Sequence, residues 1–254
     1  MINIGKAKKE FIRYTSEFDI SEPHLDRKLY HSFRVMDNCT EIAKSLNLQG
    51  DDINLASLIG LLHDIARFEQ WKQYNTFYDI KSFDHGDMGV SILKDNNYIR
   101  KYVEDDQYDN LIYIAIRNHN KYKIEDGLTD RELLFAKIIR DADKLDIFYE
   151  IDTIFYNPPE KVELINNSVL CDEYYESFMN NQQILKKKDE TAFDRFVSTL
   201  SFIYDLNYDI SLNMIRENDY CEKTISKIHF EDENSQTRFN NIINLFYKTI
   251  KKEV

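Results

Sequence analysis

Apolar positions recur along most of this chain at helical rather than strand spacing. Leu25, Leu29, Phe33, Met36, Ile42 and Leu46 follow one another at steps of three to six, one apolar helix stripe over 25–48. Ser21 is placed to cap this helix, with Pro23 in its first turn. Gly50 ends it, and Asp51 or Asp52 caps the next. Residues 53–65, INLASLIGLLHDI, are apolar nearly all round, which predicts a centrally buried helix. Gly60 within it permits close backbone approach. From Ala66 to Phe83 the chain is aromatic and polar without a clear period, and it reads as a long ordered loop. Further helices are expected over about 85–97, 104–120 and 130–148. Asn157-Pro158-Pro159 is the strongest punctuation. Helical patterns resume over about 172–188, 190–205, 208–217 and 235–252. Lys186-Lys187-Lys188 reads as a helix end, where cations meet the negative dipole terminus. The expected organisation is a first domain over 1–157, with its core at about 25–150, and a helical extension over 158–254 packed on it.

Composition sharpens this picture. The 254 residues hold 6 Gly and 3 Pro, against an average usage of roughly 12% for the two together. Hairpins and sandwich corners need such residues at fixed places, so an all-α fold is expected. A hydrophobic content of 43% is enough for a full core and excludes disorder. The net charge of −12 excludes a scaffold for long nucleic acid, which would neutralise phosphates with clustered Lys and Arg. It leaves room for a small phosphate-bearing ligand in a local pocket. Cys39, Cys171 and Cys221 lie far apart without CxxC spacing, against a disulfide framework or a thiolate zinc site. The opening MINIGKAKKEFIRY lacks an apolar targeting core, and no stretch approaches the length of an apolar membrane span. A cytoplasmic protein without a membrane partner is expected.

Candidate chemistry lies in the histidines. His31 (HSFRV), His63 (LLHDI), His85 (DHGDMG) and His119 (RNHNK) have polar or small neighbours suited to a site, and Asp143 follows in RDADKLDIF. A single His on an apolar face is more often a hydrogen-bonded core residue. His24 is read in that bland way as a helix-start residue, and His229 as an exposed or locally bonded one. His63-Asp64 differs, because it closes the most apolar helix, where an unpaired carboxylate is hardest to tolerate. Imidazoles and carboxylates from several helices suit Fe, Mn, Zn or similar divalent metals.

The order His31, His63-Asp64, Asp143 resembles the HD superfamily of metal-dependent phosphohydrolases, whose signature is H…HD…D. The flanks HSFRV, LLHDIARFEQW and RDADKLD are similar to the family's, and the histidines in DHGDMGV and IRNHNKY are similar to those of its dinuclear members. The resemblance covers roughly residues 25–150 and implies a helical bundle. It implies one metal on His31, His63 and Asp143, another on His85 and His119, and Asp64 bridging. The two ions would be Fe, Mn or similar, with Zn or Mg as alternatives. The implied activity is hydrolysis of a small phosphate ester, expected to be a nucleotide, by metal-activated water. Two other functions stay open: an HD-type di-iron oxygenase sharing the six ligands, and a non-catalytic metal-stabilised regulatory module.

Transition-state charge calls for cations. Lys144 beside Asp143, Arg67 one turn after the HD pair and Arg34 one turn after His31 are the candidates, each also readable as a solvated surface cation. Asp84, Asp87 and Asp146 could orient ligand imidazoles, although a solvated face explains them equally well. Asp141 lies about 200° round the helix from Asp143 and does not readily share its metal. Trp71, Tyr74, Phe77, Tyr78 and Phe83 could stack on a nucleobase or cover the metals, but such clusters are more often core beneath a long loop. The segment EDGLTD between His119 and Asp143 is placed to shape the pocket. Thiols have no part in this chemistry. Replacing all three cysteines with Ser or Ala should leave turnover within about a few-fold, and a loss with intact folding and metal content would point to nucleophilic catalysis instead.

Overall fold

With few glycines and prolines to interrupt it, the chain is helical throughout, and no strand occurs among the described residues. The structure is a computed structural model and describes residues 2–251. It divides into two compact units, residues 1–143 and 144–254. No helix among the described residues is long and apolar enough to cross a membrane.

The first unit contains α1 (Ile4–Thr15), α2 (Pro23–Ser45), α3 (Asp51–Leu62), α4 (Ala66–Tyr74), α5 (His85–Lys94) and α6 (Asp109–Asn118), and α7 (Asp130–Glu150) runs through its boundary. Helix α1 lies outside the elements that periodicity predicts. Asn3 caps it, accepting from Lys6 N at 2.9 Å. Its Phe11 meets Phe33 and Phe68 edge-on, with ring centroids 6.0 Å apart in both cases. Its Tyr14 hydroxyl donates to the Ile65 carbonyl at 3.2 Å. Helix α2 is capped by Glu22, because Pro23 already takes the first helical position; Ser21, the expected cap, donates to Asp19 instead. Gly50 occupies the cap position of α3, so Asp51 and Asp52 fall in the first turn, where they complement the helix dipole.

Residues 66–83 are not a single loop. The first half is helix α4, whose aromatic residues blur the apolar–polar contrast that periodicity reads. Irregular backbone follows only from Asn75, a left-handed C-cap, and holds one short 3-10 turn at Asp79–Lys81. Helices α2 and α3 cross at close range. A Cβ on Gly60 would lie 2.8 Å from Met36 Cα and 2.9 Å from the Val35 carbonyl oxygen.

In the second unit α7 passes into a π-helical turn at Ile151–Phe155. Then come α8 (Pro159–Asn166), α9 (Asp172–Met179), α10 (Ala192–Leu200), α11 (Asp209–Glu217), α12 (Glu222–Ile225) and α13 (Glu233–Ile250). Helix α9 stops well short of residue 188, with Asn181 left-handed behind it. Lys186-Lys187-Lys188 therefore lies in non-helical chain rather than at a helix end. Thr191 and Asp194 form a capping box on α10, which buries Phe193, Phe196, Val197 and Leu200. Phe193 stacks on Phe230 at 4.5 Å, and Phe239, Ile242 and Phe246 of α13 complete this core.

The tight crossing at Gly60 has a measurable consequence. Gly60→Ala forces backbone rather than a flexible side chain to give way, and should destabilise the fold by about 1–3 kcal/mol. Urea unfolding of the two proteins checks this, and equal midpoints would contradict the crossing geometry.

Candidate metal centre

All six sequence-derived ligands come together in the first unit, and most arrive on helix ends. His31 projects from α2. His63 and Asp64 occupy the turn between α3 and α4, held helical by Ile65 N to Leu62 O and Arg67 N to Asp64 O. His85 is the first residue of α5, behind the N-cap Asp84. His119 is the C-cap of α6. Asp143 lies on α7, where Asn38 of α2 donates to the neighbouring Ala142 carbonyl at 3.1 Å.

Two glycines and an arginine make this convergence possible. Gly60 seats the HD helix on α2. A Cβ on Gly86 would stand 2.6 Å from Asn120 Oδ1 and 3.1 Å from the Ile116 carbonyl, so glycine there lets the start of α5 reach the end of α6. Arg140, buried on α7, donates to the carbonyls of Asn118 and Lys121 at 2.9 and 2.6 Å. It satisfies the carbonyls that α6 leaves open at its end and complements the negative dipole there. This fixes the backbone on both sides of His119.

The donors fall into overlapping groups, His31–His63–Asp64, His63–His119–Asp143 and Asp64–His85–His119. His31 Nε2 lies 3.2 Å from His63 Nε2, 3.4 Å from Asp64 Oδ2 and 3.2 Å from Asp143 Oδ1. His63 Nε2 is 3.5 Å from Asp64 Oδ2 and 3.7 Å from Asp143 Oδ1. On the other side, His85 Nε2 and His119 Nε2 are 3.0 Å apart, and Asp64 Oδ1 lies 3.4 and 3.6 Å from them. With a metal–donor distance of about 2.1 Å, neighbouring donors stand about 3.0 Å apart in an octahedron and about 3.4 Å in a tetrahedron. The donor separations run from 3.0 to 3.7 Å, at and slightly beyond that spacing, and Asp64 presents Oδ2 to His31 and His63 and Oδ1 to His85 and His119.

The hydrogen-bond partners and electrostatics of these side chains fit a cation-binding role. His63 Nδ1 faces the Gly60 carbonyl at 2.7 Å, His119 Nδ1 the Ile116 carbonyl at 2.6 Å, and His85 Nδ1 the Asp79 carboxylate at 2.6 Å. Those acceptors place the proton on Nδ1 and leave Nε2 as a bare lone pair. His85 Nε2 and His119 Nε2 face each other at 3.0 Å. Asp64 Oδ1, buried beside them, has no hydrogen-bond partner. A divalent cation resolves both problems. Burial pushes His63 down to about 3 against the pull of Asp64 and Asp143. Burial, helped by Arg67, pushes His85 down to about 4. Burial opposes ionisation of Asp64, but Lys28, His63 and Arg67 overcome it and hold the carboxyl well below its ordinary range. Asp143 is likewise held low by His31 and His63 against its burial. Neutral imidazoles with ionised carboxylates are the forms that metals bind.

The candidate cations are placed differently from one another. Arg67 Nε lies 3.4 Å from Asp64 Oδ1, while its Nη1 donates to Gln70, the Phe77 carbonyl and Asp79. Lys144 pairs with Asp205 at 2.7 Å within the second unit. Arg34 is half-buried on α2. Two residues escaped the sequence reading. Lys28 is buried and donates to Asp64 Oδ2 at 2.7 Å; its i−3 spacing from His31 was the available signal. Asp79 bonds His85 and had no periodic signal. Asp84 and Asp87, the candidate orienting carboxylates, hold Lys121 at 2.6 and 2.8 Å. Asp146 and Asp141 are buried on α7. Among the aromatic residues, Trp71 stacks on His24 at 4.2 Å, Phe77 packs on Trp71 at 4.9 Å, and Tyr74 meets Phe83 edge-on at 5.7 Å. His229 is exposed, Cys39 and Cys221 are buried, and Cys171 is exposed.

Fold and donor set define an all-helical protein with a His/Asp cluster suited to divalent metals. Residues 29–147 match the family model of the HD domain. The superfamily of that domain is one of metal-dependent phosphohydrolases. No curated protein and no solved structure matches the chain.

The buried imidazoles make the metal-free protein acid-sensitive. Unfolded histidines take up protons as pH falls through about 6.5, while folded His63 and His85 stay neutral down to about 3 and 4. The unfolded state then binds more protons, so stability falls with pH across that window. Asp64, Asp79 and Asp143, held low in the fold, add a further loss below about pH 4. Thermal unfolding of chelator-treated protein should show a midpoint that drops between about pH 7 and pH 4. A midpoint that stays flat there would contradict neutral buried imidazoles.

Proposed function

We propose that the protein is a metal-dependent phosphohydrolase that cleaves a small phosphate ester, a nucleotide, with water activated by two divalent ions. In this reading residues 1–157 are the metal-binding domain and 158–254 a helical extension. His31, His63 and Asp143 hold one ion, His85 and His119 the other, and Asp64 bridges them, consistent with the donor spacings around both Asp64 oxygens. The ions are Fe, Mn or similar, with Zn or Mg as alternatives. When bound, they supply a water ionised near neutral pH and charge for the attacking and leaving oxygens.

The observation that carries the phosphate reading is a local surplus of positive charge in an acidic chain. Lys28 and Arg67 both lie against Asp64. Two divalent ions bring four positive charges, and these side chains bring two more. Asp64, Asp79 and Asp143 return three negative charges, and burial keeps His63 and His85 neutral. Once the ions take over Asp64, Lys28 loses its described anion while Arg67 keeps Asp79; a phosphate ester supplies a replacement and an uncharged polyol does not. The Phe77 ring gathers the same charges, with Arg27, Lys28 and Arg67 at 5.9, 5.7 and 5.6 Å from its centroid.

Arg67 and Lys28 orient the phosphoryl oxygens and meet their growing charge. Lys144 and Arg34 complete the substrate-binding set, Lys144 by exchanging Asp205 for phosphate. The nucleotide part of the reading rests on the resemblance and on exposed rings such as Tyr74 and Tyr78.

Metal analysis with a panel of phosphate esters under Mn, Fe and Mg tests the reading. Two ions per chain are expected, and Asp64→Ala should disturb both. Lys28→Ala, Arg67→Ala and Lys144→Ala should each lose about 10²–10³ of the turnover while keeping their metal. Lys144→Arg should not restore activity fully, since a planar fork and a point charge are not interchangeable. Wild-type rates in all three alanine variants would reduce these residues to surface cations. Oxygen uptake with an uncharged polyol, and no ester cleaved, would put an oxygenase in place of the hydrolase.

A further inference from the structure

The three histidines whose Nδ1 partners are described above differ in one respect. His63 and His119 give their Nδ1 protons to backbone carbonyls. His85 gives its proton to a carboxylate, Asp79 Oδ2. An ionised acceptor binds an imidazole N–H more strongly than a neutral carbonyl does and raises the basicity of the opposite nitrogen. That opposite nitrogen, His85 Nε2, faces His119 and the unpartnered oxygen of Asp64.

Asp79 is held firmly enough to aim the ring. Its Oδ1 accepts from Arg67 Nη1 at 3.0 Å and from Gln70 Nε2 at 2.9 Å. Gln70 is fully buried and ties the same loop through Ser82 Oγ at 2.8 Å. Arg67 adds the Phe77 carbonyl at 2.8 Å. Asp79 Oδ2 lies 3.4 Å from the His85 backbone N and 3.3 Å from Asn120 Nδ2. The 3-10 turn at Asp79–Lys81 is thus pinned to α4 on one side and to the start of α5 on the other.

We infer that Asp79 is the positioning residue of the second metal position: it fixes His85 with Nε2 toward Asp64 and His119, and sets the affinity of that position while leaving the one at His31, His63 and Asp143 unchanged. This rests on the two-metal ligand assignment proposed above, though not on the phosphohydrolase reaction. The same carboxylate also holds Arg67, so the second position and a substrate cation share one support.

Zn(II) is titrated calorimetrically into chelator-treated wild type, Asp79→Asn and Asp79→Glu. Wild type should take two ions. Asp79→Asn should keep the first at unchanged affinity and bind the second about 10- to 100-fold more weakly. Asp79→Glu should recover part of the loss. A wild type that takes no second ion would overturn the ligand assignment, and the inference with it. Two ions bound by Asp79→Asn as tightly as by wild type, or both weakened alike, would overturn the inference alone. Should Asp79→Asn not fold, the Zn-loaded wild type decides by proton NMR. A carboxylate-bound Nδ1 proton gives a slowly exchanging downfield resonance, assigned by its loss in His85→Gln, and its absence overturns the inference.

Discussion

A carboxylate taken out of water stays ionised only where cations or hydrogen-bond donors replace the solvent. Asp64 is such a carboxylate, 2% exposed and ringed by four imidazoles. Lys28 meets one of its oxygens, and the other lacks a hydrogen bond. His63 and His85 add little positive charge of their own, since burial drives them neutral. Instead they turn lone pairs inward. Such a donor set, with inward lone pairs around an ionised carboxylate, is chemically suited to a divalent cation.

The helices deliver the donors in a way that limits that cost. Helix ends carry His63-Asp64, His85 and His119, so polar side chains meet where backbone groups also need partners. His63 and His119 use carbonyls one turn back to set their tautomers, and Arg140 takes up carbonyls beyond α6. Close packing needs small residues at two crossings, and Gly60 and Gly86 stand there. Backbone held in this way brings donors from five separate segments within 3.0–3.7 Å of their neighbours.

Charge follows the same division. The chain is acidic at −12, yet Lys28, Arg67 and Arg27 gather around Phe77 next to the donors. This local cationic wall sets a potential opposite in sign to the chain's net charge. Gln70 and Asp79 bind that wall to the 75–84 segment. Changes in the segment thereby reach both the cations and His85.

Much of this was legible in the residues alone. Scarce Gly and Pro, with helical spacing of apolar residues, fixed an all-helical fold, since these are local properties of the backbone. The six candidate residues were legible too, as the His/Asp pattern that carries the resemblance, and the structure brings them together. Short elements were not: α1 lay outside the predicted set, and α4 was hidden by its aromatic residues. Glu22 rather than Ser21 caps α2 because Pro23 decides where the helix begins. Tertiary structure alone decided the partners. That Lys28 meets Asp64, that Asp79 rather than Asp84 or Asp87 bonds His85, and that Lys144 pairs with Asp205 all depend on which elements converge. Sequence spacing fixes which residues share one helix face, whereas the meeting of different elements is set by packing across the core, where no local pattern records it.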